Sequence, residues 1–325
     1  MIGGVMKETG KMDDLVNNLR IGKKGLMAVS PAIMGLLPMP GGALFSCPIL
    51  EKGGEDVPND LKVAINIWFR HLLILIYPLS SDLIATTKMV GLNLYSAISY
   101  LFPTLFIAII LGWLFFLVKV KGRAVYTQSF SLKNLLLPLF TILIAPLIDF
   151  SVKTFNLLPL TEIGTLLGVL CAFLLSILLN HHKNIDLKKI FLKMKPYNFS
   201  LILLGLFLFL NTFKSTRIAE LISKIPVSPL MLCIIAGFVL ALGTGRILLP
   251  ASVIFPIYLA TSKITPLSFA IIYTGIFFGY VVSPVHPCLG VSAEYFKTPL
   301  KDVIKLLFPP ALVILLFTII VAATI

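Results

Sequence analysis

Long apolar stretches alternate with short polar ones along this chain, and four of the apolar stretches are broken near the middle by proline or glycine. Residues 25–50 break at Pro38-Met39-Pro40-Gly41-Gly42, and residues 63–90 break at Tyr77-Pro78-Leu79-Ser80-Ser81-Asp82. Residues 227–260 break at Leu242-Gly243-Thr244-Gly245-Arg246, and residues 266–293 at Ser283-Pro284-Val285-His286-Pro287. The breaks repeat at one offset: Pro78 and Pro284 are 206 positions apart, as are Pro103 and Pro309. Leu94, Ile98, Leu101 and Phe102 meet Leu300, Ile304, Leu307 and Phe308 at the same spacing. Irregular backbone at membrane depth is tolerated only when it is covered by protein or lines a cavity. Paired breaks in two halves therefore point to the binding site of a secondary transporter.

The pattern predicts these elements. Residues 7–20 put Met12, Leu15, Val16 and Leu19 on one helical face and charges on the other, as in a helix lying on a membrane surface. In 25–50, the arms Gly25–Leu37 and Ala43–Leu50 rise only roughly 20 and 12 Å, too little to cross a core of about 30 Å. A re-entrant hairpin with its tip at Pro40–Ala43 fits better than two crossings. Residues 51–62 are polar. A crossing broken at Pro78 (63–90) and an unbroken one (92–118) complete a first repeat, 1–118. A loop at 119–133 follows, then a second repeat at 134–325. That repeat comprises crossings 134–152, 157–179 and 199–213, an amphipathic segment 214–225, a hairpin 227–260 with its tip at Thr244–Arg246, a broken crossing 266–293 and a last helix 303–324.

Composition agrees. Hydrophobic residues make up 58%, charged residues 13%, and mean hydropathy is +1.00, against about 25% charged in soluble domains. The net charge of +13 is no nucleic-acid signature, because Lys and Arg cluster in short segments between apolar runs, as the positive-inside rule produces. Cys47, Cys171, Cys233 and Cys288 lie in apolar segments without metal-ligand spacing and read as small hydrophobes. Residues 1–24 are charged and lack the apolar core of a cleavable signal.

The basic segments 119–133 (Lys119, Lys121, Arg123, Lys133) and 180–195 are both expected on the cytoplasmic side of the cell membrane. Counting crossings outward puts residues 1–24, the mouth of the first hairpin and Lys297, Lys301 and Lys305 inside. The second hairpin opens outside, and Lys214, Arg217 and Lys224 fall there against the rule. The halves are thus inverted. The second repeat has three crossings before its amphipathic segment, and their counterparts at an offset of 206 would precede Met1 by about 70 positions. A first repeat shortened at its N-terminus is the expectation, with an asymmetric protein as the alternative.

The order amphipathic helix, Pro-Gly hairpin, broken helix and straight helix, repeated inverted, resembles the ion transporter superfamily of gluconate, citrate, dicarboxylate and arsenite permeases. The run Leu37-Pro38-Met39-Pro40-Gly41-Gly42-Ala43-Leu44-Phe45 is most similar to the membrane proteins grouped as domain of unknown function family 401. The resemblance covers nearly the whole chain. It implies a mobile unit carrying solute past a scaffold, both hairpin tips and both breaks forming the site, and a homodimer. The Ser-Asn-Thr tips of the dicarboxylate members are absent, so their sodium sites do not carry over.

Several side chains beside the breaks bear chemistry. An arginine at membrane depth costs at least about 2.5–3.5 kcal/mol; Arg246 either grips a carboxylate or phosphate with its planar fork or is paired with helix-end carbonyls or Asp82. Helix starts after both turns favour an anion there. Asp82 is a coupling carboxylate for H⁺ or Na⁺, or the counter-ion of Arg246. His286 takes up a proton near neutral pH or bonds freed carbonyls. Ser80, Ser81, Thr244 and Ser283 bind substrate or re-satisfy broken backbone. Gly41, Gly42, Gly243 and Gly245 allow tight turns and close approach to a solute. Arg70 and His71 lie nearer the cytoplasmic face, where Arg70 can snorkel. Asp149, Glu162 and Glu294 read as interfacial.

No His-Glu-x-x-His motif occurs, Gly243-Thr244-Gly245-Arg246 lacks the lysine of a phosphate loop, and His181-His182 has no metal-spaced partners. No cofactor, metal or catalytic residue is expected. The sequence reads as an all-α integral membrane protein with an inverted-repeat transporter fold: a carrier of a small anionic solute in the lipid bilayer, H⁺-coupled. The rivals are a membrane enzyme acting on a lipid-linked substrate through Asp82, His286 and Arg246, and a subunit without transport activity.

Overall fold

The computed structural model describes residues 1–37, 42–124, 126, 129–155, 157, 160, 162–180, 185–194, 196–214 and 227–324. The described residues form helices and no strand. In chain order these are α1 (Ile2–Glu8), α2 (Lys11–Asn17), α3 (Gly22–Gly35), α4 (Ala43–Gly53), α5 (Asn59–Leu72), α6 (Ser81–Val90), α7 (Leu94–Phe115) and α8 (Leu132–Thr154). They continue as α9 (Glu162–Leu178), α10 (Leu187–Met194), α11 (Pro196–Lys214), α12 (Pro229–Thr244), α13 (Leu248–Thr261), α14 (Pro266–Val281), α15 (Pro287–Tyr295) and α16 (Leu300–Ala323).

Local chemistry sets many of these limits. The Asn93 side chain accepts from the Tyr95 and Ser96 amides to start α7, and Ser131 accepts from the Asn134 amide to start α8. Thr265 and Ser268 form a reciprocal capping box around Pro266 at the start of α14. Gly91 and Gly245 end α6 and α12 in the left-handed region, at φ 71° and 60°.

Leu94–Lys119, Leu132–Thr154 and Leu300–Ala323 are long and apolar enough to cross a membrane, and Asn59–Ile76 with Ser81–Val90 forms a fourth such unit bent by 42°. Their outward faces are apolar: Phe106 is 61% exposed and Ile320 63%. A surface of that kind suits lipid. α12 and α13 have 16 and 14 residues, so they rise roughly 24 and 21 Å and fall short of a core of about 30 Å. Both interrupted stretches are pairs of helices packed on each other, α3 with α4 and α12 with α13.

Element starts repeat near the expected offset. Leu94 and Leu300 are 206 apart, Ser81 and Pro287 also 206, Asn59 and Pro266 207, and Ala43 and Leu248 205. The packing repeats too. α3 packs on α5 as α12 packs on α14, and α5 on α16 as α14 on α7. The second arms are exchanged: α4 packs on α15, and α13 on α6. α12 and α14 approach most closely at Gly275 and Gly279, a small-xxx-small pair that lets backbones touch. A Cβ on Gly279 would lie 2.3 Å from the Phe238 carbonyl oxygen.

The surface helix expected at 7–20 is two helices, separated by Gly10 at φ 73°. Met12, Leu15 and Val16 are buried against α8, so protein covers the face expected to meet lipid. The amphipathic segment 214–225 lies almost wholly outside the described residues, as do Pro38, Met39, Pro40 and Gly41.

At the start of α3, the buried Lys23 donates to Asp56, and this bond holds the exposed Asp56 carboxyl below its ordinary value. A carboxyl lowered on folding stabilises fully above its unfolded value, about 3.9, and loses that effect as pH falls through the folded one. The melting-temperature gap between the native chain and Asp56→Asn is expected at pH 7 and should close under strong acid. A gap that persists there would mean the bond contributes nothing.

Candidate functional site

Gly42 and Gly245, beside the two interruptions, each pack on a neighbouring element. Gly42, at the start of α4, accepts a hydrogen bond at 3.0 Å through its carbonyl from Nη1 of Arg70, near the end of α5. Gly35 presses on the same place, where a Cβ would lie 2.0 Å from the Arg70 carbonyl oxygen. In the second half Gly245 lies against the break itself: a Cβ there would be 2.8 Å from the Val285 carbonyl oxygen. Ser283 Oγ donates to the Leu242 carbonyl at 2.6 Å and accepts from the Val285 amide at 3.3 Å. These bonds satisfy backbone that the helix breaks leave open.

Three rings, from the end of α5, the end of α14 and the second break, meet in edge-on and tilted contacts. Tyr280 and His286 have centroids 4.1 Å apart, His286 and His71 4.7 Å, and His71 and Tyr280 5.4 Å. His71 Nδ1 bonds the Ile67 carbonyl at 2.6 Å, which makes that nitrogen the donor and leaves Nε2 as an acceptor facing the Tyr280 hydroxyl at 3.4 Å. His286 is buried, and among the described residues neither ring nitrogen makes a regular hydrogen bond, although the Val281 backbone lies close to the ring. Ligand-type atoms of His71, His286 and Cys288 all lie within 4.8 Å of one another, with Arg70 beside Cys288.

On α5, one turn before Arg70, Asn66 ties three elements. Its amide nitrogen reaches the Ala43 carbonyl (3.2 Å) and Ser292 Oγ (3.0 Å), and its oxygen accepts from Ser46 Oγ (2.5 Å). All four residues are buried. The network joins α4 to α5 and to α15 across the two halves. A satisfied buried network of this kind fixes one arrangement.

The first break is built differently. Asp82, in the first turn of α6, keeps part of its surface open and faces Arg246, Tyr273 and Tyr280 at electrostatic range. The Tyr273 hydroxyl is buried without a partner. Arg246 is exposed and makes no hydrogen bond or ion pair with any described residue.

Three expectations change. Arg246 is not buried, because Gly245 turns the chain and delivers the next side chain outward. Arg70 does not snorkel: it is 4% exposed and turned to the first hairpin. Asp149 is not interfacial but fully buried, accepting from Tyr95 (2.5 Å) and from Thr165, with Lys153 2.8 Å away. Glu162, paired with Lys88, and Glu294 are exposed. Ser283 serves backbone, as does Thr244, whose hydroxyl donates to the Leu240 carbonyl. Ser80 is buried at the start of α6, Ser81 is half-buried and Gly243 exposed. Gly41 falls outside the described residues.

Sequence reasoning left Cys288 and Asn66 out of the site. Cys288 stands two residues after His286, but His71 comes from more than 200 positions earlier, so no local spacing reveals the group. Asn66, a carboxamide inside an apolar helix, was the available signal for the buried network.

No curated protein shows significant similarity to the chain. The family described as Protein of unknown function (DUF401), which the run from Leu37 to Phe45 resembles, matches residues 1–325, and the chain belongs to it.

Proposed function

We propose that this protein is a secondary transporter of the ion transporter superfamily type, carrying a small anionic solute with H⁺. The observation that carries the reading is the exchange of hairpin arms, α4 onto α15 and α13 onto α6, around two helix breaks. Two short hairpins of opposite sense fastened to two broken helices give a central region that can open toward either side in turn. Unwound backbone and helix starts there favour an anion.

In this reading the mouth of the α3–α4 hairpin is cytoplasmic. Gly22 donates to Tyr126, Tyr295 to Glu51, and Asn59 to the Phe296 carbonyl. These bonds gather Lys23, Lys24, Arg123, Lys297 and Lys301 at one end of the molecule, as the positive-inside rule requires. Arg246, whose fork is unengaged, grips the solute at the second turn. Asp82 faces it and carries the coupling proton, with His286 as the second titratable group. Ser80, Ser81, Gly42 and the 243–245 turn line the path.

The test is uptake by reconstituted vesicles of small carboxylates, sugar acids and oxyanions, after thermal-shift screening. A ligand at a hundredfold excess over Kd stabilises the native state by about 2.7 kcal/mol. An inward proton gradient is expected to drive uptake. Arg246→Lys should weaken binding, and Asp82→Asn should spare binding more than coupled uptake. Uptake unchanged by both substitutions refutes the assignment. Turnover of a lipid-linked compound without uptake favours an enzyme.

A further inference from the structure

We infer that His71, His286 and Cys288 form a binding site for a soft metal ion, Cu⁺ in preference to Zn²⁺. This inference does not rest on the transport reading.

Three observations carry it. The donor atoms of the three side chains lie within 4.8 Å of one another, a span that side-chain rotation can narrow to the roughly 3–4 Å between neighbouring ligands of one ion. His71 is already oriented as metal-bound histidines are: its Nδ1 is held by the Ile67 carbonyl at 2.6 Å, which leaves Nε2 for a metal that displaces the long contact with the Tyr280 hydroxyl at 3.4 Å. His286 is 1% exposed, and among the described residues neither ring nitrogen makes a regular hydrogen bond, the Val281 backbone lying close by. A buried imidazole in that state has lost its bonds to water and gained none. A metal bound on one nitrogen would supply the missing interaction.

Donor type and charge choose the ion. Two imidazoles and a thiolate suit soft or borderline transition ions, and a His₂Cys set is a three-ligand copper arrangement. On binding, the Cys288 Sγ–H bond breaks, an S–Cu bond forms and the proton leaves to solvent. Thiolate and Cu⁺ then cancel. Zn²⁺ would leave a positive site beside Arg70, a costly arrangement in a medium of low dielectric. Mg²⁺ and Ca²⁺ require oxygen ligands, which the group lacks.

The test titrates the purified full-length chain in detergent with Cu⁺, kept reduced by ascorbate, against a competing chelator. Zn²⁺ and Mg²⁺ are run in parallel. One Cu⁺ per chain is expected, Zn²⁺ weaker and Mg²⁺ absent. Cys288→Ala and His286→Gln each remove a ligand. They should weaken Cu⁺ by more than the roughly 10–100-fold that losing an outer-shell partner costs. A chain with both His181→Gln and His182→Gln should bind as before. Should a variant fail to fold, alkylation mapped by mass spectrometry in the native chain decides. Cu⁺ should shield Cys288 while the exposed Cys171 stays reactive. Copper binding unaffected by Cys288→Ala and His286→Gln, no binding to the folded native chain, or Cys288 unshielded would each overturn the site. Tighter Zn²⁺ than Cu⁺ would overturn the choice of ion.

Discussion

Replacing Arg70 by methionine is expected to leave a folded protein whose solute uptake falls roughly 5-fold or more, the equivalent of about 1 kcal/mol, the lower end of what a buried carbonyl left without its donor costs. Arg70 is buried near the end of α5, and its fork holds the Gly42 carbonyl beside a helix start. Methionine fills similar volume without a charge to desolvate, and such replacements are often tolerated in interiors. The Gly42 carbonyl would lose its donor, at a cost of about 1–3 kcal/mol, so the melting temperature should drop modestly. Arg70→Lys keeps the charge but not the planar geometry and should recover part of the uptake. Vesicle uptake and thermal melting of the three chains check this. Full uptake by the methionine variant would make Arg70 a fastening for the hairpin and nothing more.

Gly279 is the second position where one substitution should have a large effect, this time on assembly. The Phe238 carbonyl oxygen is already closer to the site of an added Cβ than any such contact allows. Gly279→Ala must push α12 from α14, and overpacking of that sort costs about 1–3 kcal/mol; Gly279→Leu should prevent the two helices from packing. Gly290 provides the control, because a Cβ there meets nothing within 4 Å. Gly290→Ala should be neutral, or stabilising by up to about 1 kcal/mol. Melting in detergent and the yield of monodisperse protein separate the two. Equal behaviour of Gly279→Ala and Gly290→Ala would mean the helices accommodate the methyl freely.

The breaks and element starts were legible because proline and glycine act locally. A ring without an amide hydrogen, or a residue free to take positive φ, favours an interruption where such residues cluster, while Pro103, Pro138 and Pro309 lie inside continuous helices. That is why Pro78, Pro284 and Gly245 located interruptions that the structure also has. Coverage was not legible. The apolar face of Met12, Leu15 and Val16 looks the same whether lipid or α8 covers it, and Arg70 gives no sign from its own helix that Gly35 and Gly42 will close over it. Asp149 was misread for the same reason: its partners Tyr95 and Thr165 come from helices on either side in the chain. The exposure of Arg246 was equally hidden, because being next to a turn does not say which way the turn delivers the side chain.

The exchange of arms also bears on how the chain is made. α4 ends at Gly53, and α15, on which it packs, begins at Pro287, 234 residues later. At synthesis rates of about 5–20 residues per second, roughly 12–47 s pass before α15 exists. Throughout that interval Ser292 cannot complete the Asn66 network, so the polar side chains that α4 and α5 bring together stay partly unmet until the last part of the chain is made.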